Sequence, residues 1–301
     1  MTLPTFLIAG ASKAGTTSLY YLLKQHPDIY LPTLKEPNYF LYHERDIVFR
    51  DADMSEIRGD KPYQTSLAEY QALFTEAKHL QKGEASTLYM YDAAAPQAIK
   101  EVLKDVKLIF MLRNPVERAY SQFMHLRRDG REPLSDFSEA LEAEEERITL
   151  NIYPSFRYQA MGRYAEQLER YLEIFAREQI LVLLYDDFRK DELKETQRVY
   201  EFLELDSSFV PDSSLRLNAS GTPRNQSLHT FITRNNPVKR ILTPLIPERL
   251  RLELATRLNQ LNLEKPAPLD PSLRNELKTA FSEDISRLQN LIGRDLGSWL
   301  R

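Results

Sequence analysis

The 301-residue chain contains no cysteine, which excludes disulfides, cysteine-ligated metals and thiol nucleophiles. Glycine is scarce, with nine residues, and there is one tryptophan. The five histidines are scattered and form no H-x-x-x-H or related metal-ligand pattern. No apolar run approaches the about 18–20 residues that a membrane span requires. The first residues enter a strand without a basic-plus-apolar leader, so a cytoplasmic protein with no integral membrane segment is expected. Charge of neither sign dominates: 40 Lys and Arg stand against 44 Asp and Glu, a net −4. There is thus no global pull toward nucleic acid. What remains is a globular composition, 42% hydrophobic and 28% charged. Neither an internal repeat nor a low-complexity tract interrupts it.

Against that scarcity of glycine, Phe6 to Ser18 (FLIAGASKAGTTS) stands out. An apolar run, Phe6–Ala9, gives way to a loop framed by Gly10 and Gly15, then to Thr16-Thr17-Ser18 and the apolar-periodic Leu19–Leu23. This is the strand–loop–helix order of a phosphate-binding loop. Glycines admit backbone N–H groups close to phosphate oxygens, hydroxyls add donors, and the helix N-terminus adds positive potential. A nucleoside-triphosphate loop would carry Lys directly after its second Gly. Here Thr16 holds that position and Lys13 has moved inside the loop, over whatever group leaves from a 5′-phosphate.

Two further apolar runs, Lys107–Leu112 and Ile180–Tyr185, read as buried parallel strands. Helical stretches precede each, Ala94–Leu103 and Gly162–Glu178; the second places Tyr164, Leu168, Tyr171, Leu172 and Phe175 on one face. Alternation of this kind argues for an α/β fold with a central parallel β-sheet flanked by helices. His43–Pro62 and Ser207–Ser227 read as long loops at the edge of a site. After Asn236 the chain becomes helical in two pieces: a basic amphipathic Pro247–Leu261, and a second ending at Trp299, which would pin the C-terminus by packing.

The strand at Lys107 ends in Arg113-Asn114-Pro115. A guanidinium at the carboxyl end of a parallel strand lies on the ligand side of the sheet, and its fork suits a phosphate. Pro115 can open the next helix, with Ser121 about two turns along it. With the loop at Gly10, this implies a ligand with two separate phosphates.

The pairing of GASKAGTTSL with LRNPVERAYSQF resembles the two signature elements of sulfotransferases that use 3′-phosphoadenosine-5′-phosphosulfate (PAPS), and most closely the heparan sulfate N- and 3-O-sulfotransferase branch with its bacterial relatives. KEPNYF from Lys35, GEAS from Gly83, the helix from Gly162 and the closing GRDLGSW carry the resemblance through nearly the whole chain. It implies a P-loop NTPase-like α/β fold and one sulfotransferase domain over residues 1–301, with 237–301 packed on it as a helical part. It implies PAPS as donor, 3′-phosphoadenosine 5′-phosphate (PAP) as product, and no metal. Lys13, Ala14, Gly15, Thr16, Thr17 and Ser18 would hold the 5′-phosphosulfate, and Arg113 and Ser121 the 3′-phosphate. Ser220, Gly221 and Arg224 lie where relatives close a Lys-Gly-Arg-like segment over PAPS.

On the acceptor side the resemblance makes Glu36 the general base, with Lys35, Asn38, Glu84 and Ser86 lining the substrate. A carboxylate within reach is what an alcohol needs to become a nucleophile. His26, His43 and His125 compete for that role. His125 shares a helix face with Ser121, and a histidine base resembles the cytosolic small-molecule branch. Ala85 stands where relatives acting on heparan sulfate tend to have a basic residue, and Asn38 where some have His. A neutral sugar, lipid or small-molecule alcohol is therefore expected over a highly anionic glycan. Two rival readings remain: a P-loop kinase or nucleotidase using Asp186 or Asp187 for Mg²⁺, and a non-catalytic module that binds a bisphosphorylated nucleotide.

Overall fold

The computed structural model describes residues 3–56, 66–213, 222–223, 263–264 and 267–301. Its centre is a parallel five-stranded sheet of order β2-β3-β1-β4-β5: β1 Phe6–Gly10, β2 Ile29–Tyr30, β3 Gln81–Ala85, β4 Lys107–Leu112 and β5 Ile180–Leu184. The two apolar runs at Phe6 and Lys107 become the central strands β1 and β4. They are buried on both faces apart from the partly exposed Lys107, as continuous hydrophobic runs demand. β5 lies at the edge and is only partly covered. It stops at Leu184, and Tyr185 opens the helix α9, Tyr185–Lys190, rather than ending the strand.

β3 has no apolar run, and its sequence QKGEA does not read as a strand. It becomes one by pairing with β1. Phe6 faces Gly83, and a Cβ on Gly83 would meet the Phe6 ring at 2.2 Å. The position accepts glycine because the neighbouring strand fills the space.

Helices cover the sheet: α1 Thr16–Leu23, α2 Tyr39–Tyr42, α3 Leu67–Ala72, α4 Ala95–Val102, α5 Pro115–Arg128, α6 Phe137–Glu142, α7 Glu144–Thr149, α8 Tyr164–Leu172, α10 Glu192–Phe202 and α11 Pro271–Ile292, with α9 between α8 and α10. α8 is shorter than its periodicity suggests. Its chain turns after Leu172, with Phe175 still buried, to bring Ile180 alongside Leu108. α11 packs on α8 and α5. It ends at Ile292 with Gly293 in the left-handed conformation, not at Trp299. Trp299 follows in a short 3₁₀ turn and is buried, its indole N–H donating to Asp186 at 2.9 Å. The stretch Pro247–Leu261 lies outside the described residues, and among those described no helix is long and apolar enough to cross a membrane.

Candidate active site

The loop after β1 is shaped by its glycines and held by β4 and α5. Gly15 caps α1 with φ 95°, and a Cβ there would come within 2.8 Å of the Tyr185 ring. At Gly10 a Cβ would collide with the Met90 side chain at 2.5 Å. Ser12 Oγ donates to Gln122 on α5 at 3.3 Å, and Arg113 donates to the Lys13 carbonyl at 3.3 Å. α1 has no side-chain cap and no acidic residue in its first turn. Its leading N–H groups, from Thr16, Thr17 and Ser18, have no intrahelical acceptor and suit an anion.

Lys13 sits in this loop at φ 65°. Burial, and then the Arg128 guanidinium, hold its ammonium down at about 8, with Arg113 adding to the repulsion and Asp129 and Glu36 opposing it. A buried ammonium with two guanidiniums acting on it is a group that an arriving anion would favour. Arg113 follows β4 directly and stacks over the Tyr185 ring at 5.0 Å. Asn114 caps α5 by accepting from the Val116 N–H at 3.0 Å, with Pro115 opening the helix. Ser121 lies two turns along it, partly exposed. Ser220, Gly221 and Arg224 lie outside the described residues, so no placement is given for them.

Lys35 joins the phosphate loop to the acceptor side. Its Nζ donates to Thr17 Oγ1 at 3.1 Å and to Glu36 Oε1 at 3.3 Å. Thr87 donates to the same carboxylate oxygen at 3.5 Å. Glu36 and Asn38 both take left-handed backbone angles, φ 60° and 53°, which Asn tolerates but Glu adopts rarely, and where surroundings hold it. Three contacts do so: the Glu36 N–H donates to the Ala85 carbonyl at 2.9 Å, the Asn38 amide to the Glu36 carbonyl at 3.1 Å, and the Asn38 N–H to Ser86 Oγ at 3.0 Å.

Ser86 in turn donates to Glu84 at 2.8 Å, and Tyr70 donates to Glu84 at 3.3 Å. Asn38, Glu84 and Ser86 are all fully buried. Expected along the substrate, they form a buried hydrogen-bonded group behind the Glu36 turn in this structure. Burial pushes the Glu84 carboxyl up to about 7, against hydrogen bonds from Ser86, Tyr89 and Tyr70 that pull it down. A carboxyl raised in the folded state contributes stability that is lost as pH rises from about 4.5 to about 7. The loss is on the order of 3 kcal/mol at one unit per 1.36 kcal/mol. Glu84→Gln is therefore expected to flatten the fall in melting temperature between pH 5 and 8, as followed by circular dichroism. An unchanged slope would remove Glu84 as its source.

The histidines separate clearly. His26 is buried beside Tyr200 and Phe209, bonded to the Asp206 carbonyl and the Asp28 N–H, each at 3.1 Å. His43 Nδ1 is 2.9 Å from the Tyr39 hydroxyl. His125 lies near Lys13, and burial and then the Lys13 charge drive it down to about 4. Arg128 reaches its Nδ1 at 2.6 Å. Arginine only donates, so Nδ1 is the acceptor and the neutral ring carries its proton on Nε2, 3.5 Å from Asp129.

Arg128, Asp129, Thr87 and Tyr185 were not singled out from the sequence as parts of this site. For Arg128 the signal existed: Ser121, His125 and Arg128 stand at i, i+4 and i+7 on one face of α5. For Thr87 and Tyr185 no local pattern announces the contact. Asp186 and Asp187, the Mg²⁺ candidates, are engaged elsewhere, by Trp299 and by Arg294 at 2.6 Å. Among the described residues no group of acidic or histidine side chains is arranged to hold a metal.

A Gly-framed loop after β1, a cation at the end of β4 and a carboxylate tied to that loop define a group-transferring enzyme of the P-loop-like α/β class. Residues 3–228 match the family model described as a sulfotransferase domain, and the chain belongs to the sulfotransferase family. The crystal structure of a sulfotransferase from Alicyclobacillus acidocaldarius matches it over 100% of both chains, with 33% identity and a TM-score of 0.76. Carbohydrate sulfotransferase 15 of Rattus norvegicus is 28% identical over 248 residues, 67% of this chain and 44% of that protein. Bifunctional heparan sulfate N-deacetylase/N-sulfotransferase 4 of Mus musculus is 26% identical over 312 residues, 99% of this chain and 31% of that protein. The chain thus spans less than half the length of these curated relatives. That family membership sets aside the kinase reading.

Proposed function

We propose that this sulfotransferase moves a sulfuryl group from PAPS to a hydroxyl of a sugar, lipid or small molecule, with Glu36 as general base. The observation that carries the reading is the Lys35 bridge, one ammonium within 3.1 Å of Thr17 in the phosphate loop and 3.3 Å of Glu36. It brings the donor and acceptor halves of a transfer reaction to one point. PAPS supplies the activated sulfuryl group. The acceptor oxygen bonds to sulfur, the bond from sulfur to the 5′-phosphate oxygen breaks, and the hydroxyl proton passes to Glu36. Lys13 balances charge growing on the leaving phosphate oxygen, and Arg113 with Ser121 receives the 3′-phosphate. Catalysis of this kind rests on positioning and charge stabilisation.

Two phosphate subsites make PAP the preferred nucleotide. Each charge-assisted hydrogen bond to the 3′-phosphate is worth roughly 1.5–3 kcal/mol, so calorimetry should give at least about tenfold tighter binding of PAP than of AMP or ATP, with or without Mg²⁺. Equal affinity for ATP, dependent on Mg²⁺, would overturn the donor assignment.

A further inference from the structure

The residues that follow the Glu36 turn and Thr87 along the chain help to line a cavity of about 230 Å³. It begins one residue beyond Thr87, at Leu88, and takes Leu41 of α2 from the helix that starts directly after Asn38. Phe49, in the stretch expected to edge a site, and Pro154 complete an apolar wall. Engineered apolar cavities of roughly 150 Å³ hold a benzene, so this one accommodates a single six-membered ring with a few substituents. Five of its ten lining residues are polar or charged, Arg45, Tyr91, Asp92, Asn151 and Arg157, so it joins an apolar wall to a polar one, as a site for a small polar ligand does.

Its polar side is unbalanced. Arg45 and Asp92 form a pair at 2.6 Å. Arg157 donates to the Tyr91 hydroxyl at 3.3 Å and to the Ile152 carbonyl at 3.1 Å, while its Nε is buried without a hydrogen-bond partner. Among the described residues no carboxylate pairs with Arg157. A half-buried guanidinium held in place by neutral acceptors has charge to share with a ligand, and its fork suits a carboxylate or sulfate.

We propose that this cavity is the acceptor pocket, and that it takes an alcohol on a ring-sized body bearing one anionic group, which Arg157 recognises. The inference rests on the sulfuryl-transfer reading of Glu36, and it goes further by naming the acceptor class. One unmatched cation fits a single anionic group, not a polyanion, so the expectation against a highly charged glycan stands beside it.

The test is ligand-observed NMR on the full chain, with and without PAP, using 4-hydroxycyclohexanecarboxylate and its neutral carboxamide as probes. The carboxylate should bind at least about tenfold more tightly than the amide. Arg157→Gln should abolish that difference while leaving PAP affinity unchanged, and Arg157→Lys should restore part of it. Equal binding of the two probes by the unaltered protein, or binding of neither, overturns the proposal without need of a variant. PAP affinity, read in the same samples, tests the donor reading separately. Carboxylate selectivity without PAP binding would leave an anion pocket and remove its role as acceptor site.

Discussion

Glu36→Gln is expected to leave PAP affinity unchanged and to lower sulfuryl transfer to an aliphatic alcohol by roughly 10²–10⁴-fold, the usual contribution of a general base. Glutamine keeps the shape and can still accept from Lys35 and Thr87, which now reach the Glu36 carboxylate at 3.3 and 3.5 Å. It cannot take the proton. An aliphatic acceptor is essential to the measurement, because a phenol of low pKa hardly needs a base. His125 is the comparator. Its Nδ1 lone pair already accepts from Arg128, and its other nitrogen carries the proton of the neutral ring. With burial and the Lys13 charge holding it near 4, it has little capacity to accept a proton near neutral pH. Should Glu36→Gln remain active while His125→Ala is dead, the base is His125 and the geometry around Arg128 must rearrange during turnover.

Lys13→Ala should lower turnover much more than it weakens PAP binding, because charge on the leaving oxygen is greatest in the transition state. The same lysine predicts a proton signature. In the ligand-free protein burial and Arg128 hold it at about 8, so near pH 8 about half the molecules lack its charge. An arriving phosphate favours the ammonium and raises it again. PAP binding near pH 8 should therefore take up about half a proton, seen as a buffer-dependent enthalpy in calorimetry, and affinity should fall as pH rises further. Lys13→Ala should remove the uptake. Near wild-type transfer by Lys13→Ala at saturating PAPS would disprove the assignment of Lys13 to the leaving group.

Much of the fold was legible because its central strands are long apolar runs. Phe6–Ala9 and Lys107–Leu112 lie buried in the middle of the sheet, where a strand must be hydrophobic on both faces. The phosphate loop was legible for a related reason, since its glycines and hydroxyls act through local backbone geometry. β3 was not. Its residues carry no strand preference, and it forms because Phe6 packs into the space left by Gly83. The end of α8 was misplaced because helical periodicity continues past the point where the chain must turn toward β5.

The sequence by itself determined the strand–loop–helix unit, the cation at the end of β4 and the helix opened by Pro115. Each depends on residues adjacent in the chain. Only the tertiary structure decided what those parts meet. Lys35 reaches Thr17 across 18 residues, and the Arg128 charge acts on the loop lysine. Glu84, expected along the substrate, is buried behind Asn38 and Ser86, which hold Glu36 in its left-handed turn. Those contacts follow from the order in which the strands pair, because β3 beside β1 brings its carboxyl end, and everything just after it, to the edge where the phosphate loop begins.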